Sequence, residues 1–272
     1  MLKKIKSKLL SYLNYNSNLS INDIFLTKRG NESIKKSLFI AKSLGKTKVF
    51  IADQGGWMTY PQFIKKAGLE EIRLITNDCK INLDNLRKVL DSNSVLLVNA
   101  LSGYWYKQNM KEISNICKDK SCLLITDLAG GIGDPSLSYG DILIGSFGRW
   151  KPINNYGGGF IATNLDNDIL DTFEGDLDSL NKHFLNLNER INFLNSKSIG
   201  LMKQLSDSGF NFLNNLDNNL NRNLVVIALF KSEVEKKELI NLANSLNIEY
   251  TECPREIRSL RDGISFELKK LN

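Results

Sequence analysis

Lys151 lies between Trp150 and Pro152, behind the strand-like run DILIGS (141–146) and ahead of three consecutive glycines at 157–159. An amine so placed and taken out of water gives up its proton readily and can attack a carbonyl. A surface lysine is the plainer reading of the residue taken alone. Upstream, Asp127 ends the apolar run LLIT (123–126), where a buried carboxylate has to be paired or put to use, unless it only caps the following turn. Trp57 follows two glycines just past another strand end, so its ring lies either against a flat ligand or in the core. In TKRGNES (27–33) a glycine opens a helix whose first N–H groups and dipole can hold a phosphate. That segment is neither a P-loop nor G-x-G-x-x-G, and a simple helix cap by Asn31, with Glu32 and Ser33 in the first turn, is its alternative.

These segments need a scaffold that gathers them. Apolar periodicity predicts helices over 31–44, 58–67, 82–90 and 110–118, and strands over 48–53, 72–76, 95–99, 122–126, 142–145 and 159–162. Gly45 stops the first of these helices. Strands separated by helices require crossover connections, hence an α/β fold: a mostly parallel sheet with helices on both faces. In such sheets ligands bind beyond the carboxyl ends of the strands, which is where all four segments fall. Residues 1–164 form this large domain. Residues 165–222 read as a helical connection with long helices over 165–190 and 191–213 and an Asn-rich break at 214–223. Residues 223–272 read as a small α+β domain in the order strand, helix, strand, strand.

Composition removes several functional classes. The 272 residues contain one histidine, His183 in a polar helical stretch, so histidine triads and ordinary zinc sites are out and no metal is expected. Cys79, Cys117, Cys122 and Cys253 show no C-x-x-C spacing and suit a cytoplasmic protein with reduced thiols. No apolar run approaches the roughly 20 residues of a membrane span. The first 50 residues hold eleven Lys/Arg against Asp23 and Glu32. Such a basic end touches an anionic partner or is a solvated helix face. Within it, residues 1–13 form an amphipathic helix for packing on the body or on a second subunit, without the h-region and cleavage site of a secretory signal.

Taken together, the segments resemble the pyridoxal-phosphate-dependent enzymes of fold type I, the aspartate aminotransferase superfamily. The stretch DILIGSFGRWKP (141–152), ending in GGGFIAT (157–163), is similar to that family's strand, S-F-x-x-x-K and G-G-hydrophobic return strand, as in the DegT/DnrJ/EryC1/StrS sugar aminotransferases and class V. LLVNALSG (96–103) is similar to the preceding strand and turn, and the order of elements matches over nearly the whole chain. The resemblance implies that Lys151 forms the aldimine (Schiff base) with pyridoxal 5'-phosphate and shuttles the proton. It further implies that Asp127 pairs with the pyridinium nitrogen, Trp57 stacks on the ring and Ala129 packs beneath it. Ser146 and the backbone N–H groups at Gly30, Asn31 and Glu32 would bind the phosphate.

Two departures stand out: the chain is short for the family, and Gly130 stands where many members carry His or Gln. Of Arg255, Arg258 and Arg261, Arg261 is the choice for a substrate carboxylate. The activity so implied is an aminotransferase acting on an amino acid or amino sugar, as a cytoplasmic homodimer. The alternatives are a non-catalytic binding or scaffold protein of the same fold, a lyase, or an enzyme linked to tRNA.

Overall fold

The computed structural model describes residues 1–13, 18–214 and 223–271. Helix α1 (Leu2–Leu13) buries Ile5, Leu9 and Leu13 completely, as its lysine-interleaved pattern requires. Next come β1 (Ile24–Thr27), α2 (Gly30–Ser43), β2 (Lys48–Ala52), α3 (Tyr60–Lys66), β3 (Glu70–Leu74), α4 (Leu83–Val89) and β4 (Ser94–Asn99). Two short strands, β5 (Leu101–Ser102) and β6 (Tyr106–Lys107), pair with each other ahead of α5 (Met110–Asp119). Then follow β7 (Leu123–Asp127), β8 (Ile142–Ser146) and β9 (Gly159–Ala162).

Seven of these strands form one sheet in the order β1-β9-β8-β7-β4-β2-β3. Only β9 runs against its neighbours; every other pairing is parallel. The carboxyl ends of β1, β8, β7 and β4 therefore open at one edge. Every residue of β4 and β7 is buried, as expected of strands covered on both faces. Their period-two alternation divides the core. Val95, Leu97, Leu123 and Ile125 pack with Ile34, Leu38 and Ala41 of α2 and Ile64 of α3. Leu96, Val98 and Leu124 pack on the other face with Ile113 of α5, Leu86 of α4 and Ile5 of α1. The mostly parallel α/β sheet with helices on both faces is thus present.

Several expected bounds change. β1 is a strand absent from the expected set, β3 starts at Glu70 instead of 72, and α3 starts at Tyr60 instead of 58. The largest difference lies in 165–190. Its first twelve residues are not helical, because Asn167 bonds local backbone groups that a helix would need while Asp171 and Thr172 bond the backbone of β1. Asn167 Oδ1 accepts from Ile169 N–H at 3.0 Å, and Asp171 Oδ1 accepts from Leu26 N–H at 2.7 Å. Thr172 N–H donates to Leu26 C=O, so this segment covers the free edge of β1. Helices α6 (Leu177–Leu185) and α7 (Leu187–Asp207) then meet at Asn186. α1 packs against α6, on the body of its own chain. Most of the Asn-rich break, residues 215–222, lies outside the described residues.

Beyond it, β10 (Val226–Leu229), α8 (Glu233–Ser245), β11 (Tyr250–Arg255) and β12 (Ser259–Phe266) make a separate antiparallel sheet in the order β10-β12-β11. All four cysteines are free and buried. Among the described residues no helix is long and apolar enough to cross a membrane.

Candidate functional site

Strand β7 carries Asp127 to the open edge of the sheet and holds it there by two hydrogen bonds. The Tyr60 hydroxyl donates to Oδ2 at 2.7 Å and the Ala129 N–H to Oδ1 at 2.8 Å. Burial pushes this carboxyl upward from its ordinary range, while Tyr60, Ala129 and Lys151 pull the other way. Its register partner on β4 is Asn99, whose Nδ2 donates to Gly55 C=O. The Asn99 Oδ1 is buried without a hydrogen bond among the described residues.

Lys151 follows β8 by five residues and is buried, 8% exposed. Its amine lies 4.6 Å from the Trp57 ring centroid and 4.4 Å from that of Tyr104, and it hydrogen-bonds the Tyr104 hydroxyl. Loss of water is the main influence and lowers its pKa to about 8, with Asp127 raising it, Arg258 lowering it and Glu267 raising it. An amine of this kind releases its proton far more readily than a lysine in water, and the free amine is the state in which nitrogen has a lone pair to give.

The opposite wall is the start of α2. Arg29 is its cap residue, with no side-chain capping bond, and pairs with Gly158 in a single parallel bridge. Asn31 therefore does not cap the helix: its Oδ1 accepts from Trp57 Nε1 at 2.9 Å and from the Thr59 hydroxyl at 3.3 Å. First-turn N–H groups have no intrahelical acceptor and remain for a ligand. That of Glu32 is the exception among the three expected, since it donates to Arg29 C=O at 2.9 Å. The Glu32 side chain also turns away, to Lys28 N–H, the Thr172 hydroxyl and Lys36. Ser146 stands against the same helix end: a Cβ on Gly30 would lie 2.6 Å from the Ser146 Cβ. Its Oγ accepts from Gly148 N–H at 3.2 Å, which leaves the hydroxyl proton to donate.

Gly30, Asn31, Trp57, Asp127, Ala129, Ser146 and Lys151 all line one cavity of about 400 Å³, a size in the range of small-molecule sites. Glu32 and Arg261 do not line it. Arg261 is more than half exposed, pairs with Asp78 at 3.2 Å and lines a different cavity beside β10. The arginine that lines the cavity is Arg29, the cap residue of α2. Arg258 stands behind the cavity, with its guanidinium 5.1 Å from the Tyr104 ring centroid. It is fully engaged: Nε and Nη2 donate to Glu267 at 2.9 and 2.7 Å, and Lys269 joins the same carboxylate. Burial works to raise the Glu267 pKa, yet Arg258 and Lys269 bring it down to about 2.

The sequence marks none of Tyr60, Tyr104 and Glu267, and marks Arg258 only as one of three arginines ahead of the last strand. A hydroxylated aromatic at the start of a buried helix was the one local signal for Tyr60. His183 sits half-buried on α6, away from the cavity.

No family model matches the sequence, and no curated protein matches it either. Solved structures do match. A NifS-like protein superposes with a TM-score of 0.72 at 16% identity, covering 100% of this chain and 82% of its own. A DegT DnrJ EryC1 StrS aminotransferase from Brucella abortus gives 0.72 at 11% identity over 97% and 84% of the two chains. The cysteine desulfurase from Thermococcus onnurineus NA1 gives 0.70 at 12% identity over 99% and 80%. The chain has the fold-type-I pyridoxal-phosphate transferase fold. Identity this low carries the fold and not the reaction.

Proposed function

We propose that the chain is a pyridoxal-phosphate-dependent enzyme, an aminotransferase acting on an amino acid or amino sugar, with Lys151 as the amine that bears the cofactor. The observation that carries this reading is the burial of Lys151, with its pKa brought to about 8, above Trp57 and in the field of Asp127. The residues present fit the group. The α2 start, cleared of side chain at Gly30, and the Ser146 hydroxyl suit a phosphate. Trp57, Asp127 and Ala129 line the cavity where a flat ring would lie.

When bound, pyridoxal phosphate supplies a ring that accepts electrons from a substrate carbon. Asp127 would hold a proton at the ring nitrogen, Trp57 would keep the ring plane, and Lys151 Nζ would take a proton from the substrate carbon and return it. Structural likeness to an aminotransferase and to a cysteine desulfurase supports the class of enzyme, and the amine and carboxylate serve either chemistry. The reading includes a homodimer, in which a second copy would cover the exposed Tyr156 at the mouth of the cavity. It also includes a reducing compartment, supported by the four free cysteines.

The test is uptake of pyridoxal phosphate, read as a visible absorption band, then borohydride reduction and peptide mass mapping. The expected result is label on the peptide containing Lys151, followed by conversion of the band on adding an amino donor. Absence of a band, or label scattered over surface lysines, would favour the second reading, a non-catalytic binding or scaffold protein. One feature supports that second reading: Arg261, the arginine expected for a substrate carboxylate, lies outside the cavity and pairs with Asp78.

A further inference from the structure

Tyr104 is held more tightly than packing alone demands. Its backbone adopts a left-handed conformation, φ 68°, which costs energy for any residue but glycine and is kept only where surroundings enforce it. Those surroundings come from segments flanking both the large and the small sheet. Its N–H donates to Leu101 C=O and its C=O accepts from Leu224 N–H at 2.9 Å. The ring fills the space that a side chain on Gly130 would need, since a Cβ there would lie 2.9 Å from Tyr104 Cδ1. The Arg258 guanidinium and the Lys269 amine stand 5.1 and 5.5 Å from its centroid. The turn bearing Arg258 is docked in turn on the large sheet's loops, with Leu260 N–H donating to Gln54 Oε1 and Arg258 C=O accepting from Trp105 Nε1. All of this delivers one hydroxyl to the Lys151 amine.

From this geometry we propose that Tyr104 is the positioning residue for Lys151: its hydroxyl accepts a hydrogen bond from the ammonium form and donates one to the amine form, so the nitrogen keeps its place in both. The phenol can play both parts because burial and the nearby Asp127 raise its own pKa and keep it neutral. No proton is lost from the tyrosine in either state. The groups that act on the Lys151 charge are Asp127 from β7, Tyr104 after β5, and Arg258, Glu267 and Lys269 from the small sheet. Among them Tyr104 alone hydrogen-bonds the amine. This inference builds on the reading of Lys151 as the cofactor-bearing amine, but its test does not.

The test is the pH dependence of Lys151 reductive methylation in protein free of cofactor, read by peptide mass mapping for the wild type and for Tyr104→Phe. The wild-type midpoint is expected near 8. Removing the hydroxyl takes away a charge-assisted bond to the ammonium and a weaker one to the amine, so the midpoint should fall by about one pH unit. A midpoint that stays where it is, or rises, overturns the proposal. Should Tyr104→Phe fail to fold, 3-fluorotyrosine at position 104 decides: its more acidic phenol is the poorer acceptor and better donor, and must lower the midpoint as well. A merely structural tyrosine would leave it unmoved. Failure to take up pyridoxal phosphate would sink the enzyme reading and leave this result standing; an unchanged midpoint with normal uptake would sink only the role of Tyr104.

Discussion

The indole N–H of Trp57 donates to the Asn31 carboxamide at 2.9 Å, so the first turn of α2 sets the plane of the ring that faces Lys151. The same helix end is thereby tied to two jobs, leaving backbone N–H groups for a phosphate and aiming an aromatic face. Asn31→Ala should free the indole and weaken pyridoxal phosphate binding about five- to tenfold, the worth of one hydrogen bond of about 1 kcal/mol. Absorbance titration of the two proteins measures it. Unchanged affinity would mean that the ring is aimed by packing alone.

Gly30 gives the second prediction. A methyl there would press on Ser146 Cβ at 2.6 Å, with backbone close behind at 3.4 Å. Gly30→Ala should cost about 1–3 kcal/mol of stability through overpacking. It should also erase the preference for pyridoxal phosphate over pyridoxal, because the contacts displaced are those facing the phosphate. Competition between the two ligands is the measurement.

Lys151 sets a pH dependence of stability. Its amine has a pKa of about 8 in the fold against 10.5 for an unperturbed lysine. Below pH 8 both folded and unfolded chains hold the proton, and the fold bears the full cost of a buried ammonium. Between 8 and 10.5 the folded state has released the proton and the unfolded chain has not, so stability rises with pH through that window. Lys151→Met removes the charge and should stabilise the cofactor-free protein at pH 7 by about 1–3 kcal/mol, at 1.36 kcal/mol per pH unit less what Asp127 loses with its cation. The gain should vanish near pH 10.5. Urea unfolding at both pH values tests the sign; a destabilised variant at pH 7 would contradict it.

The two arginines before β12 should behave oppositely. Arg258→Met strands Glu267 in the interior beside Lys269 alone, and breaking a buried pair costs about 3–5 kcal/mol. Arg261→Ala removes an exposed ion pair worth about 0–1 kcal/mol. Thermal unfolding of both variants separates them. A large loss at 261 would show that the small sheet is held differently.

Much of the site can be read in the chain because it is local. Lys151, Asp127 and Ser146 are recognisable from an apolar run that ends in a polar residue, and parallel strands bring such endings to one edge whatever lies between them. The same holds for the glycine that opens α2. The residues that escaped notice act across long separations: Tyr104 meets Lys151 47 positions later, and Tyr60 meets Asp127 67 positions later. Residues 165–176 misled the helical reading for a related reason. Their leucine spacing suits a helix, but Asp171 and Thr172 gain more by closing the edge of β1.

Periodicity thus settles the architecture and the open edge, since each depends on a few neighbouring residues obeying fixed repeats of 3.6 or 2. Packing settles which polar groups meet. Asn31 looks like a cap and orients an indole, Arg261 looks available and lies against Asp78, and Arg258 is buried on Glu267. The angle and distance between two side chains on different elements depend on every contact that docks those elements. Buried charges must find partners wherever that docking leaves them, so this part of the site exists only in the assembled chain.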